Sequence, residues 1–185
     1  EIYSSKRIII AGCGDSHMAG VAAEMAFEQL ADLPVEPMTA MQAARYAFLG
    51  KSHEFSKNPL VIGVSVSGNV VRTREVLAIA RQAGALTVAV TAYADSPLAK
   101  VAEKVLHVQS PESLWSPGVS SYRISMMALH LLAIRFAEVM AKVSQDQANA
   151  WRQEIKSAAA VIEETIAMNI ETAKALAAEL KQKKD

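Results

Sequence analysis

The chain has 185 residues with 19 basic and 19 acidic side chains, a formal net charge of zero, and it is 51% hydrophobic. That length suits one domain, or one domain with a helical extension, and leaves enough chain to bury a core. Balanced charge with no basic run speaks against nucleic acid or an anionic membrane as partner, no apolar run nears the ~20 residues a bilayer span needs, and the single Cys13 excludes an internal disulfide, so the expectation is a soluble cytoplasmic protein.

Lys6-Arg7 leads into Ile8-Ile9-Ile10-Ala11, a short continuous apolar run of the kind a strand buried on both faces requires. Gly12-Cys13-Gly14-Asp15-Ser16 follows, and His17 to Leu33 then carries helical spacing through Met18, Val21, Ala22, Met25 and Leu30. This turn is no dinucleotide fingerprint, because His17 stands where the third glycine of G-x-G-x-x-G belongs, and no P-loop lysine follows. Pro34 to Thr39 is predicted as a second strand, Ala40 to Leu49 as a helix, and Gly50 to Pro59 as a polar connection.

Leu60 to Val64 is a second charge-free run, and it passes into Ser65-Val66-Ser67-Gly68-Asn69 and a helix from about Val70 to Gln82, stopped by Gly84. Leu86 to Thr91 reads as a fourth strand, Pro97 to Glu103 as a short helix opened by Ser96-Pro97, and Val105 to Val108 as a fifth strand. The loop Ser110 to Gly118 precedes a long apolar helix from Val119 to about Val143. Beyond it, Trp151, Ile155, Val161, Ile162, Ile166, Ile170, Leu176 and Leu180 describe one face of a helix, or of two helices broken near Met168-Asn169. The start at Glu1 and the end in a run with Lys181, Lys183 and Lys184 suggest a piece of a longer protein.

Alternation of strand and helix predicts an α/β fold, a three-layer αβα domain with a five-stranded parallel sheet. Both glycine turns leave the carboxyl ends of strands, where such sheets bind ligands, and they share a crevice if the order is 2-1-3-4-5, as in flavodoxin-like folds. Residues 1–143 form this domain, and 144–185 a helical extension or connector.

The stretch Leu60 to Arg74 carries the chemistry. A helix start presents unpaired N–H groups and partial positive charge, which suits an anion. Ser65 and Ser67, two apart, fall on one face if the segment is extended, and Gly68 lets the backbone approach a ligand. Arg72 and Arg74 lie in the first turns of the next helix, either offset by an anion or simply solvated. Glu112 and His17 are the candidate acid/base groups; the bland alternatives are a solvated loop carboxylate and a helix-start residue. His130, among Met126, Met127, Leu131 and Leu132, reads as a core or interface residue, and Cys13 as a small buried one. Glu24 and Glu28 share a helix face, and no spacing suggests a metal.

These turns together resemble the sugar isomerase (SIS) family of phosphosugar-binding domains. The resemblance rests on Gly12-Cys13-Gly14-Asp15-Ser16 with Ala19-Gly20, on Val64 to Asn69 with Thr73, on Ala83 to Thr91, on Ser96-Pro97-Leu98-Ala99, and on Pro111-Glu112 to Ser121. It implies a sugar-phosphate ligand held by Ser65, Ser67, Gly68 and Asn69, with Gly14, Ser16 and Ser121 shaping the pocket, and no cofactor. One departure is Val70, where many members carry threonine. The chain is similar to the first of two tandem domains in the isomerase half of glucosamine-6-phosphate synthase and its relatives, which implies a homodimer or pairing with a second SIS domain. In those relatives the acid/base residues lie largely in or after the second domain, so this chain is expected to bind with or without turnover of its own. A sensor acting through oligomerisation, and a helical interaction module on an inert sheet, are the competing readings.

Overall fold

Two charge-free runs become the inner strands of the sheet. In the computed structural model, which describes residues 7–48, 59–109 and 118–183, every residue of β1 (Ile8–Gly12) and β3 (Leu60–Val64) is buried. Between and after them lie α1 (Asp15–Ala31), β2 (Val35–Thr39), α2 (Ala40–Tyr46), α3 (Val71–Gln82), β4 (Leu86–Thr91), α4 (Pro97–Val101), β5 (Lys104–His107), α5 (Val119–Val139) and α6 (Gln145–Lys181). The five strands are all parallel in the order β2-β1-β3-β4-β5. This is the expected topology, and Pro37 is tolerated because β2 is an edge strand.

Side-chain alternation divides the core into two layers. Ile8, Ile10, Leu60, Ile62 and Val64 face one way and meet Ala19, Ala23 and Phe27 of α1 and Leu129, Ala133 and Phe136 of α5. Ile9, Ala11, Val61 and Ala89 face the other way, onto Ala43 of α2, Val76, Leu77 and Ala80 of α3, and Leu98 of α4. Each large aliphatic or aromatic side chain so buried contributes ~1.5–3 kcal/mol against exposure. Phe27 and Phe136 join α1 to α5 with ring centroids 5.8 Å apart. Ahead of β1, the Arg7 guanidinium grips the Glu36 carboxylate of β2 through two 2.8 Å bonds, and that hydrogen bonding holds the Glu36 carboxyl below its usual range.

Several helix ends differ from expectation. The first helix stops at Ala31 because Asp32 adopts a left-handed conformation (φ 55°), and its N–H and that of Leu33 close on Glu28 and Phe27 carbonyls. That cap is usually made by glycine. The helix predicted to Val143 ends at Val139, with Ala141 at φ 54°. The chain divides into two units between Gln145 and Asp146. The second consists of α6, a helix that runs unbroken through Met168-Asn169, where Asn169 Nδ2 donates to the Thr165 carbonyl at 2.8 Å. A break there is therefore excluded. Among the described residues no helix is long and apolar enough to cross a membrane. Glu112 and nearly all of the loop Ser110 to Gly118, with most of the connection Gly50 to Pro59, lie outside the described residues.

Candidate functional site

The register pairs Gly12, the last residue of β1, with Val64, the last of β3, and Val64 in turn with Val90 of β4. Three consecutive turns therefore leave the sheet side by side. The first is Cys13-Gly14, with Gly14 at φ 52° as the residue before α1. Ser16, half-buried, donates its N–H to the Cys13 carbonyl at 3.1 Å.

The second turn, Ser65 to Val70, does not continue the strand. Gly68 N–H donates to the Ser65 carbonyl at 2.9 Å, closing a tight turn directly after Val64. The two serines are consequently separated instead of sharing a face: Ser65 is 2% exposed, whereas Ser67 is exposed. The expectation that both line one side fails because the extended geometry ends one residue before Ser65. Ser65 Oγ is buried with no hydrogen-bond partner. Ser67 Oγ accepts from the Asn69 N–H at 3.3 Å.

Gly68 is held in a left-handed conformation (φ 65°), and a Cβ there would overlap the Ser96 side chain and come within 2.8 Å of Thr91 Oγ1. Only glycine fits between these hydroxyls. The third turn locks onto this one, as Ala92 N–H and Thr91 Oγ1 donate to the Val66 carbonyl at 2.9 and 3.2 Å and Leu98 N–H to the Gly68 carbonyl at 3.0 Å. On the other side Thr73 Oγ1, in the first turn of α3, lies 3.9 Å from Cys13 Sγ. Thr73, Thr91 and Ser96 are landmarks of the resemblance, and the structure shows them bracing the serine turn from both neighbours. The sequence signal for them is a hydroxyl at a strand end or a helix start.

Ser121 stands in the first turn of α5, where its Oγ donates to the Gly118 carbonyl at 2.9 Å. Gly118 (φ 80°) touches the first turn directly, because a Cβ on it would overlap Asp15 Oδ2. The chain that leaves β5 at one sheet edge thus re-enters beside β1. Asp15 and Gly118 were not among the expected site residues, and nothing in their spacing relates them. Arg72 pairs with Glu75 on its own helix at 2.6 Å, so it needs no ligand to offset its charge.

The helix starts around these turns are open. Gly14, Val70 and Gly118 precede α1, α3 and α5, and none supplies a side-chain cap. By contrast α2 is capped by Thr39, reciprocally with Gln42, and α4 by Ser96, whose Oγ accepts the Ala99 N–H at 3.3 Å. At α1 the Ser16 and His17 N–H groups already donate to the Cys13 and Gly14 carbonyls, so what the three uncapped starts share is the partial positive charge that favours an anion. Among the described residues no group of three His, Cys, Asp or Glu side chains is placed to hold a metal. A separate apolar groove of about 400 Å³ lies between β5 and α5, lined by residues such as Leu106, Ile124 and Leu131, and it shares no residue with the turns.

Comparison with known proteins agrees with this architecture. Glutamine–fructose-6-phosphate aminotransferase [isomerizing] of Clostridium tetani is 27% identical over 185 residues, covering 100% of this chain and 29% of that protein. The Clostridium perfringens protein of the same name is 29% identical over 152 residues, 82% of this chain and 23% of its own length. The chain therefore spans less than a third of either relative. Among solved structures, the C-terminal domain of glucosamine-fructose-6-phosphate aminotransferase from Francisella tularensis superposes with a TM-score of 0.81 at 18% identity, over 91% of this chain and 47% of that one. The family described as SIS domain matches residues 1–135, most of the sheet-forming unit with both glycine turns. On that match the chain belongs to the SIS domain family.

Proposed function

We propose that this chain binds a phosphorylated sugar or amino sugar at the carboxyl ends of β1, β3 and β4, as part of an enzyme of the phosphosugar isomerase or aminotransferase type. The observation that carries the reading is the split among helix starts. Two starts, those of α2 and α4, are closed by side chains, and the three that follow Gly14, Val70 and Gly118 have no side-chain cap. In this reading the phosphate takes N–H groups at the start of α3 together with Ser67 and Asn69. Ser65 supplies a hydroxyl from beneath, and the sugar extends toward Gly14, Ser16 and Ser121. Neutral donors suit a dianion here because the turn needs only to replace its hydration, and charge-assisted hydrogen bonds to phosphate are the strong ones.

Moving a proton between adjacent sugar carbons needs a base and an acid. Glu112 is the candidate base, and in this reading a paired SIS domain supplies the remaining groups. The setting of this reading is the cytoplasm, with a homodimer or a paired second SIS domain as partner.

Calorimetric titration with hexose 6-phosphates, the same sugars without phosphate, and inorganic phosphate tests the proposal. Phosphorylated sugars should bind and unphosphorylated ones should not. Ser67→Ala should weaken binding about tenfold, as expected for a lost charge-assisted bond, with little change in stability because Ser67 is exposed. Binding of no phosphosugar would overturn it. A non-catalytic sensor acting through oligomerisation is the second reading, favoured by the apolar face of α6, on which Val161 is 60% and Ile166 55% exposed. Sedimentation that is unchanged by a bound phosphosugar would sink it.

A further inference from the structure

We propose that the outer face of the layer formed by α1 and α5 is a docking surface for a second copy of this chain, related by a twofold axis that passes through that face. The inference is independent of what the crevice binds. In its middle turns α1 is apolar on nearly every side. Ala19, Ala23 and Phe27 enter the core, while Met18, Val21 and Met25 stay outside it, with Met18 52% and Met25 64% exposed. Between Asp15 and Glu28 the one charged residue is Glu24, which is half-buried. The pattern recurs in α5: no Asp, Glu, Lys or Arg stands between Arg123 and Arg135, and Met127 and Leu131 are exposed next to buried Ala128 and Leu129. A helix that is apolar all round belongs inside an assembly, and methionine is enriched where proteins meet. The opposite layer differs, since α2, α3 and α4 each carry an exposed cation, Arg45, Arg72 and Lys100.

The distribution of charge along the two helices favours a second copy as the occupant. Their starts adjoin at Asp15 and Gly118, and further along Phe27 meets Phe136, so they run in the same direction. Glu28 closes the stripe of Met18, Val21 and Met25 near the end of α1, and Arg123 opens the stripe of Met127 and Leu131 near the start of α5. Both are exposed, and neither makes an ion pair among the described residues. A twofold axis through the face reverses the helix direction in the second copy, so its α5 starts opposite the end of α1. Each Glu28 then approaches the Arg123 of the other copy, and symmetry makes the contact twice. At 1.5 Å per residue the helices are about 25 and 32 Å long, and side by side they offer roughly 600 Å² per copy. Pairing buries about 1,200 Å², the lower end of stable interfaces, which suits an affinity of about micromolar.

Sedimentation velocity of the chain from about 1 to 100 μM tests the proposal, and a monomer–dimer equilibrium is the expected result. Met25→Glu should raise the dimer dissociation constant about tenfold or more, because it sets an unpaired carboxylate in a dry contact. Its denaturation midpoint at low concentration should match wild type, since Met25 is exposed in the single chain. Glu28→Arg should weaken the dimer about threefold, and adding Arg123→Glu should restore it. Ile166→Glu, on the exposed face of α6, should leave the dimer unchanged. A monomer at every concentration, assemblies that grow beyond two copies, a dimer that survives Met25→Glu or one dispersed by Ile166→Glu would overturn the proposal. Failure of the double variant to recover affinity would overturn the twofold arrangement. Phosphosugar titration reads the crevice separately, so either reading can fail without the other.

Discussion

Among the described residues, the five helices of the sheet domain follow strands in the chain, yet α2 and α4 begin on Thr39 and Ser96 while α1, α3 and α5 begin on Gly14, Val70 and Gly118. The first pair follows the rule for stability, since a hydroxyl at that position is worth ~0.5–2 kcal/mol over alanine. Val70 forgoes it, and Gly14 and Gly118 forgo the side-chain acceptor at a cost on the order of a few tenths of a kcal/mol. What the difference teaches is that stability and ligand recognition compete for the same donors, because an N–H satisfied by its own chain offers less to an anion. On the function proposed above, the competition is resolved helix by helix in this domain. The closed starts also brace the open ones, as the Ser96 side chain packs against Gly68 in the serine turn.

The largest expected effect comes from breaking that brace. Gly68→Ala places a methyl on Ser96 and keeps a left-handed backbone, costing about 1–3 kcal/mol for overpacking and about 1–2 more for the conformation. Chemical denaturation should show the loss, and phosphosugar titration should show binding abolished. Thr39→Ala comes next. Removing the reciprocal Thr39–Gln42 cap should lower stability by about 1 kcal/mol while phosphosugar affinity stays unchanged, since α2 is not among the open starts. A change in affinity there would erase the distinction between the two groups of helices. The smallest effect sharpens it from the opposite side. Val70 already has the extended backbone of a capping residue (φ −68°, ψ 112°), so Val70→Thr should raise the unliganded stability by about 0.5–1 kcal/mol, read as a higher denaturation midpoint. An unchanged midpoint would mean that the first N–H groups of α3 are satisfied already.

Much of this organisation is legible in the residues themselves. Ile8 to Ala11 and Leu60 to Val64 announce buried strands because neither contains a charge, and the glycines after each mark the turns. The order of strands follows once both turns are required to share a crevice. What escapes is decided by one or two residues of backbone geometry. No pattern in Ser65-Val66-Ser67 tells that the strand ends at Val64, yet that single boundary sends Ser65 inward and Ser67 outward. Asp32 ends α1 in a conformation that glycine usually supplies, and Pro34, two residues on, signals a stop without fixing the last helical residue. Asn169 looks like a helix breaker, but its side chain returns to the Thr165 carbonyl one turn back and the helix continues. The Asp15–Gly118 contact was out of reach for a different reason: no local rule relates residues joined only by the closing of the whole sheet.

The unequal reach of the two core layers has a consequence for synthesis on the ribosome. The layer beneath α2, α3 and α4 draws on residues no later than Ala102, whereas the opposite layer is closed only when Phe136 of α5 meets Phe27. A nascent chain that has delivered its five strands can therefore complete one side of the sheet while Ile8, Ile10, Leu60 and Ile62 remain without their full cover. In that interval the growing domain exposes an apolar surface of the kind that chaperones bind and that drives aggregation. Slow translation between His107 and Val119 would prolong this vulnerable state, and rapid delivery of α5 would end it.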